Sequence, residues 1–244
     1  MKARILMPIR TPRHPAGTQT RGSTNPNRLL LGLLWLSGML FLNLPNALAG
    51  GSAISESPGK AVVTGPAENP DYITGWQGDL ILTQGYYNSS FVPSPRKPIF
   101  AFAETDLQLG YMLPVIGSSF YRGNFEGLAD LFLWPSTRET SGVFGGGALG
   151  LHYNFVQPGW RFVPYIGGSM GLSGNNLYRD LNQRIIGGPF AFVLQANVGA
   201  RYFINRHFGL IIEGGYQHVS NADIYPRNVG LNQTGGRFGV FCLF

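Results

Sequence analysis

Apolar and polar residues alternate with a period of two in eight segments of this chain, near residues 73–86, 98–113, 118–132, 143–155, 161–173, 189–203, 207–219 and 231–244. The clearest is PFAFVLQANVGARYF, where Phe190, Phe192, Leu194, Val198 and Tyr202 share one parity and Gln195, Asn197 and Arg201 the other. Side chains on a strand point alternately to opposite faces, so each segment predicts a β-strand with one apolar face. Leu107, Leu109 and Tyr111 oppose Glu104, Asp106 and Gln108 in the same way, and Phe125 and Leu131 oppose Asn124 and Glu126. Connections near 114–117, 156–160 and 204–206 read as short, and those near 87–97, 133–142, 174–188 and 220–230 as long. Strict alternation of short and long turns between an even number of strands is the layout of an outer-membrane barrel.

Two architectures share that pattern and place the apolar faces oppositely. A soluble lipocalin-like barrel would turn them inward around a ligand. A membrane barrel would turn them outward, and must close so that no strand edge leaves backbone groups unpaired in lipid. Composition separates the two. Only 12% of residues are charged, whereas aromatics reach 13% and glycine numbers 35. The surface of a soluble domain carries about 25–35% charge. The predicted fold class is therefore all-β, an eight-stranded antiparallel up-and-down transmembrane β-barrel. Strands of about ten residues are long enough to cross when tilted. Buried charges such as Glu104, Asp106, Arg122, Glu126, Arg201 and Glu213 are expected to fill the lumen as an ion-pair network. The closing RFGVFCLF, with Phe238, Val240 and Phe244 on one face, resembles the terminal strand of outer-membrane barrels in general.

The first 49 residues read differently. Lys2, Arg4, Arg10, Arg13, Arg21 and Arg28 precede an apolar run, Leu29–Leu42, and a small-residue box, Ala47–Ala49, which together predict a secretory signal peptide. A flexible arm over 50–72 and a barrel domain over 73–244 follow. The formal charge of +6 belongs wholly to the leader; the remaining chain balances twelve basic against twelve acidic residues. It has no basic excess for nucleic acid. A lone cysteine, Cys242, excludes an intrachain disulfide.

One polar stretch interrupts the greasy parity. In HFGLIIEGGYQHVS, His218 and Ser220 fall on the face of Leu210, Ile212 and Tyr216, which in a membrane barrel looks at lipid. Polar groups there are expensive unless they act or are partnered. Residues two apart on a strand stand about 7 Å apart at Cα and point the same way. Asn232 shares the outward parity of the last strand, and pairing it with His218 centres the hairpin on Tyr225. A serine nucleophile, a histidine base and a third residue orienting the imidazole are the parts of an activated hydroxyl.

HVSNA, followed by Asn228, Gly230 and position 232, resembles the signature of the lipid A 3-O-deacylase (PagL) family. That resemblance implies an eight-stranded barrel of the bacterial outer membrane that hydrolyses an ester-linked acyl chain of lipopolysaccharide. It implies Ser220 as nucleophile and His218 as base, with Asn221, Asn228 and Gly230 supporting the site or its oxyanion. Lipid A would be the substrate, and the mechanism needs no cofactor and no metal. Well-studied members carry a glutamate where this chain has Asn232. An amide fixes an imidazole tautomer, as in Cys-His-Asn proteases, but brings no charge; either activity is lower or Asp223 contributes. The alternative function is a non-catalytic barrel with a structural or adhesive role. Other motifs lack their context: GGSMG (Gly167–Gly171) and GGGALG (Gly145–Gly150) fall inside predicted strands, not at a strand-to-helix turn. His152 has interior parity, and His207 lies in a short turn.

Overall fold

Strand propensity in this chain is realised as β1 (Gln77–Asn88), β2 (Ala101–Met112), β3 (Gly123–Arg138), β4 (Val143–Phe155), β5 (Phe162–Asn175), β6 (Phe190–Phe203), β7 (Phe208–Ser220) and β8 (Leu231–Leu243). The computed structural model describes residues 71–90, 99–138 and 140–244. The expected signal peptide, and all of the expected arm except Asp71 and Tyr72, lie outside the described residues. Each strand pairs antiparallel with the next, and β1 pairs with β8 from Asp79–Leu243 to Asn88–Thr234, so the sheet closes into an eight-stranded up-and-down barrel. Closure leaves no edge, which is what a lipid environment demands of a sheet.

The period-two reading holds strand by strand. Outward positions carry Leu131, Leu149, Met170, Val198, Ile212 and Phe238, which are 62–70% exposed. So continuous an apolar belt is not the surface of a water-soluble domain; it is the lipid-facing wall of a transmembrane barrel. Large aromatics ring the rim that holds Phe244, among them Trp76, Phe120, Tyr121, Trp160, Phe162 and Tyr202. Aromatic girdles mark the membrane interface of such barrels.

The lumen is layered. An apolar plug fills each end: Ile73, Met112, Phe203 and Phe241 at the terminal rim, and Phe102, Trp134, Phe144, Val219 and Leu231 at the other. Buried charge lies between them in two arginine-centred groups. Arg201 on β6 bonds both Glu126 oxygens on β3 at 2.6 and 2.8 Å and reaches Asp79 on β1 at 2.9 Å. Arg237 on β8 meets Asp106 and, through Nε at 2.7 Å, Glu213. Glu213 also accepts from Tyr165 Oη and Asn197 Nδ2, both at 2.7 Å. Burying such charges is tolerable only because they pair and hydrogen-bond. His152 has the expected interior position and stacks on Tyr165 with ring centroids 4.5 Å apart.

Two expectations need correction. Arg122 is not part of the lumen network. It sits before β3 at the terminal rim, pairs with Asp71 and donates to the Val156 carbonyl at 2.8 Å. Nearby, Tyr72 packs on Phe203 at 5.0 Å, so these two residues of the expected arm are held against the barrel. Strict alternation of turn length also fails. The β2–β3 connection runs over 113–122 and contains a short 3-10 turn, Ser119–Tyr121, whereas the β3–β4 connection shrinks to 139–142. The cause is β3, which starts later than its alternation suggests and continues through Pro135 to Arg138. Its pairing with β2 turns irregular between Ala101 and Phe102, beside Ser136 and Arg138. Proline has no N–H to give a ladder and is accommodated in sheets at such irregularities.

Candidate active site

β7 positions the first two candidates by parity alone. His218 and Ser220 point outward, while Gln217 and Val219 between and beside them are buried in the lumen. Ladder pairing then sets the neighbours. His218 stands directly opposite Asn232 on β8 and Leu194 on β6, and Ser220 opposite Phe192. The structure thus brings His218 and Asn232 together as expected, and their hydrogen bond, Nδ1 to Oδ1, is 2.5 Å. An amide oxygen can only accept, so Nδ1 carries the proton and Nε2 is left with its lone pair.

The imidazole edge bearing Cε1 and Nε2 leans towards Gly230, one step beyond the last ladder pair, Val219–Leu231, and so on the level of Ser220. A β-carbon at Gly230 would lie 3.0 Å from Cε1 and 3.6 Å from Nε2. Gly230 also has φ +72°, a left-handed backbone that side chains disfavour. Both facts suit glycine alone. Ser220 and His218 share a face two residues apart. The hydrogen bonds of the described residues do not include one between Ser220 Oγ and Nε2. In unliganded sites, that kind of contact tightens on substrate binding.

Asn221 and Asn228 are brought together by hydrogen bonds within the turn after Ser220. Asn221 is fully buried; its side chain donates to the Arg227 carbonyl, and its backbone N–H donates to Asn228 Oδ1, both at 2.9 Å. Asn228 Nδ2 in turn donates to Asp223 Oδ1 at 2.9 Å. These bonds stabilise a tight turn after Ser220, in which Ala222 (φ 50°) and Asp223 (φ 60°) are both left-handed. Asp223 is bonded within that turn and not to the histidine.

Two contributors escape sequence reasoning. Tyr216, outward on β7 like His218, donates its hydroxyl to Asn232 Oδ1 at 2.7 Å. Its parity was legible, yet only the register shows that it reaches diagonally to position 232. The other is Arg227. Its guanidinium donates to the carbonyls of Tyr178 (2.6 Å), Gln183 (2.8 Å) and Asp180 (3.0 Å), tying the 221–230 loop to the 176–189 loop. Gly187 permits the approach, since a β-carbon there would sit 2.8 Å from Arg227 backbone atoms. Gln183 staples its own loop by donating to Ile186 O and accepting from Ile185 N. Loop residues lack a period, so no pattern announces such an interlock. Among the described residues no cluster of His, Cys, Asp or Glu is arranged to hold a metal.

The sequence profile of a family described as Lipid A 3-O-deacylase (PagL) matches residues 122–241, which span β3 to β8 and the whole of this hairpin. Among solved structures, the crystal structure of the outer membrane enzyme PagL is similar at 16% identity and a TM-score of 0.48, over 66% of this chain and 97% of that one. The crystal structure of Neisserial surface protein A (NspA) is similar at 13% identity and a TM-score of 0.41, over 68% of this chain and 94% of that one. No curated protein matches the sequence.

Proposed function

We propose that this chain, whose residues 122–241 match the lipid A 3-O-deacylase (PagL) family, is a serine esterase of the bacterial outer membrane that removes an ester-linked acyl chain from lipid A of lipopolysaccharide. One observation carries the reading. A histidine whose tautomer is fixed by an amide oxygen stands on the lipid-facing wall, on the same row as a serine. A purely structural barrel has no use for polar groups in that place.

Substrate reaches the site by diffusing within the membrane, its acyl chains lying along the apolar wall formed by β6, β7 and β8. Ser220 Oγ attacks the ester carbonyl carbon while His218 Nε2 takes the hydroxyl proton, and Asn232 holds Nδ1–H throughout. The tetrahedral intermediate collapses, the carbon–oxygen bond to the sugar breaks, and His218 returns the proton to the leaving alkoxide. Water, activated by the same imidazole, then hydrolyses the acyl-serine. Asn221, Asn228 and Gly230 support the site by shaping the turn and clearing room for the ring. Oxyanion stabilisation falls to backbone N–H groups of the Ala222–Asp223 turn that follows Ser220. Because an amide replaces an acid at 232, the imidazolium gains orientation without charge compensation.

The test is mass spectrometry of lipid A from cells expressing the full chain. Loss of one hydroxyacyl chain, abolished by Ser220→Ala and by His218→Ala, is expected. An unchanged spectrum, with the barrel shown to be folded in the outer membrane by its heat-modifiable migration, would reject the esterase.

A further inference from the structure

Asn232 Oδ1 accepts two hydrogen bonds, from His218 Nδ1 at 2.5 Å and from Tyr216 Oη at 2.7 Å. The second has no counterpart in a plain serine–histidine–amide relay, and it bears on the weakness of an amide in this position. A carboxylate offers the imidazole an oxygen whichever way it turns. An amide has an oxygen end and an NH2 end of nearly the same shape. Rotated by half a turn, Asn232 would offer its NH2 to Nδ1, drive the imidazole proton onto Nε2, and leave His218 unable to accept a proton from Ser220. The orientation of one side chain therefore decides whether the base is competent.

We propose that Tyr216 is a positioning residue acting through Asn232: its hydroxyl holds the amide oxygen towards His218 and so keeps Nε2 free as the base. This rests on the esterase reading of the same site. The chemistry favours that orientation because a phenol donates more strongly than it accepts, its oxygen lone pair being shared with the ring. Geometry supports the assignment. Tyr216 pairs with Thr234 and His218 with Asn232, so Tyr216 reaches Asn232 along the diagonal of the β7–β8 ladder. Tyr216 is 41% exposed on the lipid side, so its ring already belongs to the wall, and only the hydroxyl is given to the site.

A double-mutant cycle with Tyr216→Phe and Asn232→Asp tests this, since phenylalanine keeps the ring and aspartate has two equivalent oxygens. With Asn232 present, Y216F is expected to lower kcat about tenfold, near the upper end of what one hydrogen bond contributes, with KM unchanged. With N232D, where there is no wrong end to present, the same change should cost less than about threefold. An equal loss in both backgrounds, or a loss in KM alone, would make Tyr216 mere packing and overturn the proposal. Nitrogen-15 NMR of His218 in detergent micelles reads the tautomer without any turnover. Wild type should hold its proton on Nδ1, and Y216F should move a measurable fraction to Nε2. An unmoved tautomer overturns the role of Tyr216 even if the chain is a deacylase, and a moved one upholds it even if lipid A proves not to be the substrate.

Discussion

Replacing Arg201 by methionine isolates the energetics of the lumen. Methionine fills most of the arginine's volume, so the change removes charge and hydrogen bonds with little cavity. Arg201, Asp79 and Glu126 are all fully buried, and the guanidinium hydrogen-bonds Glu126 at 2.6 and 2.8 Å and forms an ion pair with Asp79 at 2.9 Å. Breaking a buried pair by deleting one partner costs about 3–5 kcal/mol, because the other charge is left uncompensated. The two carboxylates do not suffer equally. Glu126 keeps a bond from Asn154 Nδ2 at 2.9 Å, whereas no hydrogen bond of the described residues reaches Asp79 from elsewhere. R201M should therefore lower unfolding stability by about 3–5 kcal/mol, and adding Asp79→Asn should recover more of it than adding Glu126→Gln. Urea titration of the refolded barrel in phospholipid vesicles, followed by tryptophan fluorescence and by heat-modifiable migration, measures both. An R201M barrel as stable as wild type, or a rescue by E126Q larger than that by D79N, would refute the reasoning.

Two further outcomes follow from the same geometry. Ile212, outward near the middle of β7 and 63% exposed, should not tolerate charge: I212K is expected to cost about 2–4 kcal/mol in a bilayer, whereas Phe120→Lys at the rim should cost about 1 kcal/mol or less. The same titration checks this, and equal tolerance of both would deny that the wall faces lipid. Arg227→Ala removes donors to three carbonyls and should lower the local opening free energy of the 176–189 and 221–230 loops by about 2 kcal/mol, with R227K intermediate. Hydrogen exchange of those segments reads the change directly, and unchanged protection would show that the interlock does not depend on the guanidinium.

The barrel was legible because one physical rule covers every strand. For β4 to β8, where side chains alternate between lipid and lumen, the pattern locates the strand to within a residue or two, whereas β1 and β2 begin four and three residues later than it suggests. It failed where that alternation has no force. Pro135–Arg138 continues β3 without a large apolar side chain on either face, so the pattern fades although the strand goes on. Arg122 shares the lumen parity but falls just outside the strand, where parity has no meaning. At the site, His218, Ser220 and Asn232 could be placed because two of them share one strand and the third lies directly across a single hairpin. Tyr216 shares that face, but the reach of its hydroxyl depends on register and not on parity. The bonds that the amides of Asn221 and Asn228 make within the turn are a matter of local backbone path that residue identity cannot disclose.

Tyr216, His218, Ser220 and Asn232 all come from one hairpin, and the lumen residues of that hairpin, Glu213, Gln217 and Arg237, face the other way. On the proposed esterase reading, chemistry and scaffold therefore occupy opposite sides of the same short ribbon. A lineage of such barrels can gain, tune or lose catalysis by altering outward residues of its last two strands, with no rearrangement of the charges that hold the cylinder shut. Position 232 lies on that outward side, so an acid and an amide can be exchanged there while the interior is left alone.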